Sequence, residues 1–538
     1  MFVFLHGYSP DTWAPMEAAG LVRDADGIRF CQSLEIAEEL KFNRLARKDG
    51  ALFRLLSERK CPFYIDRLQG GCYIENYPYD RQLLDDIRRE FGENFWGFQM
   101  HEWLSNHHTE INSKLAEIPA DDWTKARITE VMQRKWPGKY LFLESMTLDE
   151  IVSFGKPAGL TDFYRNMTSI YRKRQQLGEL IPCDSSMLAY GFELSCGTRR
   201  IMPEVGAQTQ DARVQICYAR GMTRRKGLDF GVYYEPWGGK PFSACMYNDL
   251  RNEWGIDENS DFPFKTAGPT GGSSRSLQRR IFLYAYLSNA GFLSEEWGLY
   301  NTFLNCVDFA LSPYGQVKKE FIDFVEKYPD VGQKLTPIAA VLPAELTVLE
   351  NIANEDAFCG YPMDSGLLRQ AKRGVRTLFA EKSPMLGDET NTLKNSSVPD
   401  AVELFNLGAA DLEDYRYLVD LTGDAGFSSL HKNICAPEDV PELLRRELPC
   451  YVEGDLHWIV NKRESGGYYL TVFNHSGVIR RVSEGEYTLP EADASVRLTL
   501  RTAADPVVLE GRGTLTREGE EYLLTVPAGD FAFIRLRG

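Results

Sequence analysis

The 538-residue chain carries 61 Lys and Arg against 77 Asp and Glu, a formal net charge of −16. That balance lacks the basic footprint needed to bind nucleic acid or an anionic membrane surface. Its 43% hydrophobic and 26% charged residues are those of a globular protein, at a length one hydrophobic core does not hold. The 11 cysteines are odd in number and show no CxxC spacing, which argues against a disulfide framework. The opening "MFVFLHGYSPDTW" is too short in apolar residues, and too poor in basic ones, for a signal peptide. No apolar run approaches the roughly 18 residues of a membrane span. A cytoplasmic location without membrane contact is the expectation.

Residues 1–330 alternate short apolar runs with amphipathic helical patterns. In chain order the runs are "FVFLHG" (2–7), the weaker "GIRFCQS" (27–33), "CPFYIDR" (61–67) and "FWGFQMHEW" (95–103). A mostly helical insertion follows over 104–180, in which "KYLFLESM" (139–146) reads as a strand of the insertion or of the main sheet. The runs resume with "SMLAYGFE" (186–193), "RIMPEVGAQ" (200–208), "DFGVYYEPWGG" (229–239) and "GFLSEEWG" (291–298). Strands buried on both faces and separated by helices form a parallel sheet. Eight of them predict an α/β fold, a (β/α)8 TIM-type barrel. The alternative is an open doubly wound sheet, but no GxGxxG or Walker pattern follows any strand.

"GGSSRS" (271–276) reads as a loop and helix cap rather than an anion site. Past 334 the texture changes. "TPIAAVLP" (336–343), "DSGLLRQAKRGVRTLF" (364–379), "AVELFNLG" (401–408) and "YRYLVDLTGD" (415–424) predict a small flavodoxin-like α/β domain over 335–450, with "EDAFCGYPMDSG" (355–366) as a loop. Residues 451–538 alternate with period two and predict an antiparallel β-sandwich. Neither region clusters carboxylates. Packing and assembly, including assembly into a homo-oligomer, are their expected roles.

Most barrel runs end in polar or aromatic groups: Asp66 and Arg67; His101, Glu102 and Trp103; Glu204 with Gln208; Glu235 and Trp237; Glu296 and Trp297. In a barrel these ends share the C-terminal face, where active sites form. So many buried charged ends are costly unless they line a cavity that uses them. Cleaving a glycosidic bond needs two carboxyl groups, one to protonate the leaving oxygen and one to attack or to activate water. Tryptophans can cover the apolar face of a sugar ring. The substrate expected on these grounds is a carbohydrate. No cofactor or metal is called for, since His107 and His108 have no third ligand at a metal-binding spacing.

"WGFQMHEW" resembles the fourth-strand motif of the retaining barrel glycosidases of clan A, most closely glycoside hydrolase family 42, through Gly97, Phe98, Gln99, Glu102 and Trp103. "VYYEPWG" (232–238) is similar to the seventh-strand motif of that family, which ends in the nucleophile. "GFLSEEWG" is similar to its eighth strand, which ends near a tryptophan lining the sugar site. The order of barrel, α/β domain and small β domain also fits.

The resemblance implies a retaining hydrolase with Glu102 as acid/base and Glu235 as nucleophile, while the residues themselves leave Glu204 and Glu296, also at strand ends, as rivals to Glu235. Asp66, Arg67, His101, Trp103, Glu204, Gln208, Trp237, Glu296 and Trp297 would surround the sugar. The chain departs from the family at His101, where the family has Asn, and is one residue shorter before Glu102. Two other readings stay open. One is an inverting or sialidase-like hydrolase using Asp11 with His101. The other is a carbohydrate-binding protein without catalysis.

Overall fold

The apolar runs form eight parallel strands in a computed structural model. It describes the chain apart from residues 6, 32–38, 40, 70–78, 105–114, 136–142, 144–145, 157–158, 207–208, 210–211, 226, 237–272, 297–300, 305–306, 350–364, 380–392, 482–483, 502–504 and 537–538. The strands are β1 (Phe2–Phe4), β2 (Ile28–Cys31), β3 (Phe63–Gln69), β4 (Phe95–His101), β5 (Leu180–Asp184), β6 (Arg200–Gly206), β7 (Asp229–Glu235) and β8 (Phe292–Glu295). They pair in the order β1-β8-β7-β6-β5-β4-β3-β2. The remaining seam, between β1 and β2, is drawn together by a Gly7–Arg29 bridge. There the Tyr8 N–H donates to the Arg29 carbonyl at 2.7 Å and the Gly27 N–H to that of Val3 at 3.2 Å. The result is a nearly closed TIM-type barrel.

One expected strand lies elsewhere. "SMLAYGFE" is not β5; the fifth strand is "LIPCD" (180–184), and Tyr190–Ser195 is a helix. Ser186 closes a turn on Asp184, donating both its N–H (3.0 Å) and its hydroxyl (2.7 Å), and this ends the strand. β4 pairs directly with β5, so no strand of the insertion lies between them in the sheet. "KYLFLESM" lies mostly outside the described residues. The described insertion is helical, at Lys125–Lys135, Leu148–Gly155 and Leu160–Gln175.

Inside the barrel, Phe4, Tyr64, Trp96, Ile181, Cys183, Met202, Tyr233 and Phe292 form a packed floor. Two residues beyond Tyr64, Met202 and Tyr233, strand alternation aims Asp66, Glu204 and Glu235 into the same interior nearer the mouth. β4 reaches this layer through a bulge. Phe63 pairs with Phe95 and Ile65 with Phe98, so two residues of β3 face three of β4. Gly97 is the place for it: its φ is +96°, and a Cβ would lie 2.1 Å from the Glu179 carbonyl oxygen. Trp96 belongs to the floor while Phe98 and Met100 join the outer core, so the extra residue turns Gln99 and His101 inward.

β9 (Gln333–Lys334) leaves the barrel domain, and a second parallel sheet follows. It has the order β11-β10-β12-β13, from β10 (Ile338–Leu342), β11 (Val402–Asn406), β12 (Tyr417–Asp420) and β13 (Ile434–Cys435). That is the doubly wound order of flavodoxin-like folds. The C-terminal strands are β14 (Cys450–Glu453), β15 (His457–Lys462), β16 (Tyr468–Phe473), β17 (Val478–Arg481), β18 (Gly485–Thr488), β19 (Ala494–Leu500), β20 (Pro506–Gly511), β21 (Thr514–Glu518), β22 (Glu521–Val526) and β23 (Phe531–Leu536). They form antiparallel sheets β14-β19-β22-β21 and β20-β23-β16-β15-β9, with β17 and β18 as a hairpin. No described helix is long and apolar enough to cross a membrane.

The three regions meet on a buried acid, Asp400. It takes Lys334 of β9 at 2.9 Å, His457 of β15 at 3.0 Å and the Tyr284 hydroxyl at 2.6 Å, with Arg213 at 3.9 Å. His457 bonds His475 at 2.9 Å, and His475 bonds Arg280. Burial opposes ionisation of Asp400, yet Lys334, His457 and Arg213 hold its carboxyl well below the usual range. Burial pushes His457 down to about 4.

Candidate active site

The barrel mouth gathers acids from successive strands. Glu204 of β6, Glu235 at the end of β7 and Glu296 just past β8 are 0%, 1% and 2% exposed. Carboxylate oxygens of the three all lie within 4.8 Å of one another. Two local features allow this. Gly206 pairs with Glu235, and a Cβ on it would lie 2.1 Å from the Glu235 Cγ, so only glycine leaves room for that side chain. Glu296 is fixed by its N–H, which donates to the Tyr234 carbonyl at 2.8 Å. Alternation turns the neighbouring Glu295 the other way, onto the buried Lys318 ammonium at 2.7 Å. Burial pushes Lys318 down to about 8 and raises Glu295.

His101 knits the acids together. Its Nε2 lies 2.9 Å from Glu204 and 4.0 Å from Glu296, and its Nδ1 lies 3.7 Å from Glu102. Its ring meets Tyr233 edge-on at 5.5 Å, and the Tyr233 hydroxyl accepts from Arg29 at 3.3 Å. Arg29 in turn pairs with Asp66 at 3.1 Å. The carboxylate oxygens of Glu204, Glu235 and Glu296 can accept from donor groups of a ligand. A cation is the other occupant the donor atoms permit, at these three acids or at His101, Cys183 and Glu204, also grouped within 4.8 Å.

Glu102 differs from the other acids. Its side chain is 25% exposed, and its backbone sits at φ +45°, a left-handed conformation that costs a non-glycine residue on the order of 1 kcal/mol or more. Its N–H donates to the Cys183 carbonyl at 2.7 Å. The next two residues are anchored as well: the Trp103 indole donates to Glu193 at 3.0 Å, and the Leu104 N–H to Asp184 at 3.1 Å.

Of the residues singled out in the sequence, Glu102, His101, Glu204, Glu235 and Glu296 come together. Asp66 sits in the same layer, bound to Arg29 as a rim pair. Trp103 is fully buried, with its indole N–H on Glu193 and its ring stacked on Phe192, so it is a core residue with no face to offer a sugar. Asp11 is exposed in the first turn of helix Pro10–Ala18, and no described contact joins it to the acids. The Arg67 side chain and residues Gln208, Trp237 and Trp297 lie outside the described residues. "GGSSRS" ends in a cap: Ser274 accepts the Leu277 N–H at 2.9 Å, and the Glu486 carboxylate takes the N–H groups of Arg275 and Ser276. Sequence reasoning missed Arg29, Tyr233, Cys183 and Asp184. Tyr233 precedes Glu235 by one strand period, and "LIPCD" ends in an acid like its neighbours; those were the available signals.

No protein-family model matches the chain, and no curated protein matches it. Solved structures similar to it over their whole length include an alpha-L-fucosidase isoenzyme 2 from Paenibacillus thiaminolyticus (9% identity, TM-score 0.45, 100% of this chain and 99% of that one). Another is a beta-galactosidase from the haloarchaeon Halorubrum lacusprofundi (10% identity, TM-score 0.43, 99% of each chain). A third is the catalytic module of a family 98 glycoside hydrolase from Streptococcus pneumoniae (11% identity, TM-score 0.40, 99% of this chain and 98% of that one). Likenesses this distant carry no argument, and the reading of the site rests on its own geometry.

Proposed function

We propose that the chain is a glycoside hydrolase of the retaining type, with Glu102 as acid/base and Glu235 as nucleophile. The observation that carries this reading is the convergence of Glu204, Glu235 and Glu296 within 4.8 Å at the mouth of a parallel barrel, next to a partly exposed Glu102. Retention calls for carboxyl groups about 5–5.5 Å apart, inversion for about 6.5–9.5 Å. The motifs around Glu102 and Glu235 resemble those of retaining enzymes, which favours the first. Glu102 reaches solvent, as a group must that protonates a leaving oxygen and then deprotonates water. Glu235 stands on a rigid strand over Gly206, which suits a nucleophile attacking the anomeric carbon. Glu204, Glu296 and His101 would hold sugar hydroxyls.

The sialidase-like alternative finds less support, because no described contact joins Asp11 to His101. Binding without catalysis does not account for a partly exposed Glu102 beside the buried acids. The α/β and sandwich regions would then buttress the barrel.

The test has two parts. Glu102→Gln and Glu235→Gln are assayed on a panel of nitrophenyl glycosides, and the anomer of the first product is read by NMR. The expected result is loss of turnover in both variants and a retained anomer. Near-normal turnover in both variants, or an inverted product, overturns the reading.

A further inference from the structure

Glu102 occupies a backbone conformation that few side chains adopt, so something outside it must hold it there. The end of β5 supplies that hold. The Glu102 N–H is taken by the carbonyl of Cys183, and the Leu104 N–H by the carboxylate of Asp184, the next residue along β5. Asp184 is fully buried and receives three donors: the Leu104 N–H at 3.1 Å on one oxygen, then the Ser186 N–H at 3.0 Å and hydroxyl at 2.7 Å on the other. Its own carbonyl accepts the Tyr190 hydroxyl at 3.0 Å, which ties β5 to the helix behind it. From that helix Glu193 grips the Trp103 indole. The turn 102–104 is therefore laced to one strand end on both sides, and the lacing passes through a side chain that does not reach the acid cluster itself.

We propose that Asp184 is the positioning residue for Glu102, setting where the acid/base carboxyl stands over the glycosidic oxygen. This rests on the reading of Glu102 as acid/base. Asp184 moves no proton and touches no substrate. Its carboxylate fixes the Leu104 amide and thereby the turn that aims Glu102. A displacement of about 1 Å at a reacting group costs on the order of 10²-fold in rate. The loss should fall on the step that needs the acid, departure of a poor leaving group.

The experiment uses the full chain and the sugar it hydrolyses fastest in a nitrophenyl panel. kcat/KM is measured on the 2,4-dinitrophenyl glycoside, whose leaving group needs no proton, and on the phenyl glycoside, whose leaving group does. For Asp184→Ala the expected loss is ~10²-fold on the phenyl glycoside and less than about threefold on the dinitrophenyl one. Asp184→Asn, which keeps an acceptor for Leu104, should recover most of the difference. Ser186→Ala, which removes one donor from Asp184, should show a smaller loss in the same direction, and it carries the test if Asp184→Ala does not fold.

Equal losses on both glycosides, or none, in the folded variants overturn the proposal. Glu102→Gln run alongside separates the two failures. If Glu102→Gln lacks the leaving-group selectivity, the reading of Glu102 falls. If Glu102→Gln shows it and the Asp184 and Ser186 variants do not, only this inference falls.

Discussion

Two clusters of buried ionisable groups sit in this molecule, and they are built on opposite rules. At the three-region junction, Asp400 is surrounded by Lys334, Arg213, His457 and the Tyr284 hydroxyl. Charge there is matched and donors meet an acceptor. At the barrel mouth, Glu204, Glu235 and Glu296 face one another with His101 between two of them and Glu102, while Arg29 and Lys318 are engaged elsewhere. The first arrangement spends its attraction on holding β9, β15 and a barrel helix together. The second gathers carboxyl groups from successive strand ends at the barrel mouth, the face where groups for chemistry assemble.

The comparison makes opposite predictions for acid-removing substitutions. At the mouth, Glu235→Gln should lower turnover at least ~10³-fold while leaving the melting temperature unchanged or higher, since active-site groups are held at a cost to stability. A matched loss of activity and stability would erase the distinction. At the junction, Asp400→Ala should cost about 3–5 kcal/mol in denaturant unfolding, because it strands buried cations. The protein that remains folded should keep its kcat.

Acid should also find the junction first. The folded His457 value of about 4 lies below the unfolded value of 6.5, so the unfolded chain holds the extra proton between them. Stability from this group is present above pH 6.5 and is lost as pH falls toward 4, by up to roughly 3 kcal/mol. His475, also pushed down by burial, acts with the same sign, and Asp400 adds its loss below its usual range. Urea midpoints at pH 7 and pH 4.5 check this; equal midpoints would remove the junction's role.

Two smaller substitutions sharpen the picture within the barrel. Gly206→Ala places a methyl on the Glu235 Cγ. It should cost roughly 10²-fold in kcat for only about 1–3 kcal/mol of stability. Trp103→Phe leaves the buried Glu193 carboxyl without its indole donor and should cost about 1–3 kcal/mol with KM unchanged, as befits a core residue; a raised KM would return Trp103 to the sugar site.

The barrel was legible because its strands are short, apolar and separated by helices, and because so many end in acids. β5 was not. "LIPCD" carries Pro182, which reads against a strand, while "SMLAYGFE" is apolar enough to imitate one yet turns at Ser186 and becomes helical. The acids Glu102, Glu204, Glu235 and Glu296 were visible at their strand ends. Their partners were not, because Arg29 sits early in a weak strand and the inward aim of His101 depends on a one-residue bulge at Gly97 that no periodicity reveals. Trp103 was misjudged for the same reason: being next to Glu102 in sequence does not put it on the same side of the chain.

β9 is only two residues long, yet Gln333 and Lys334 pair with Lys462 and Asn461 and form the outer edge of a sheet whose other strands begin at His457. The stretch that exits the barrel thus completes a fold lying more than a hundred positions downstream. The C-terminal regions therefore do not part cleanly from the barrel at that point: a cut before β9 severs it from the barrel-side Asn289 amide that holds Lys334, and a cut after it strips the sandwich sheet of its edge strand.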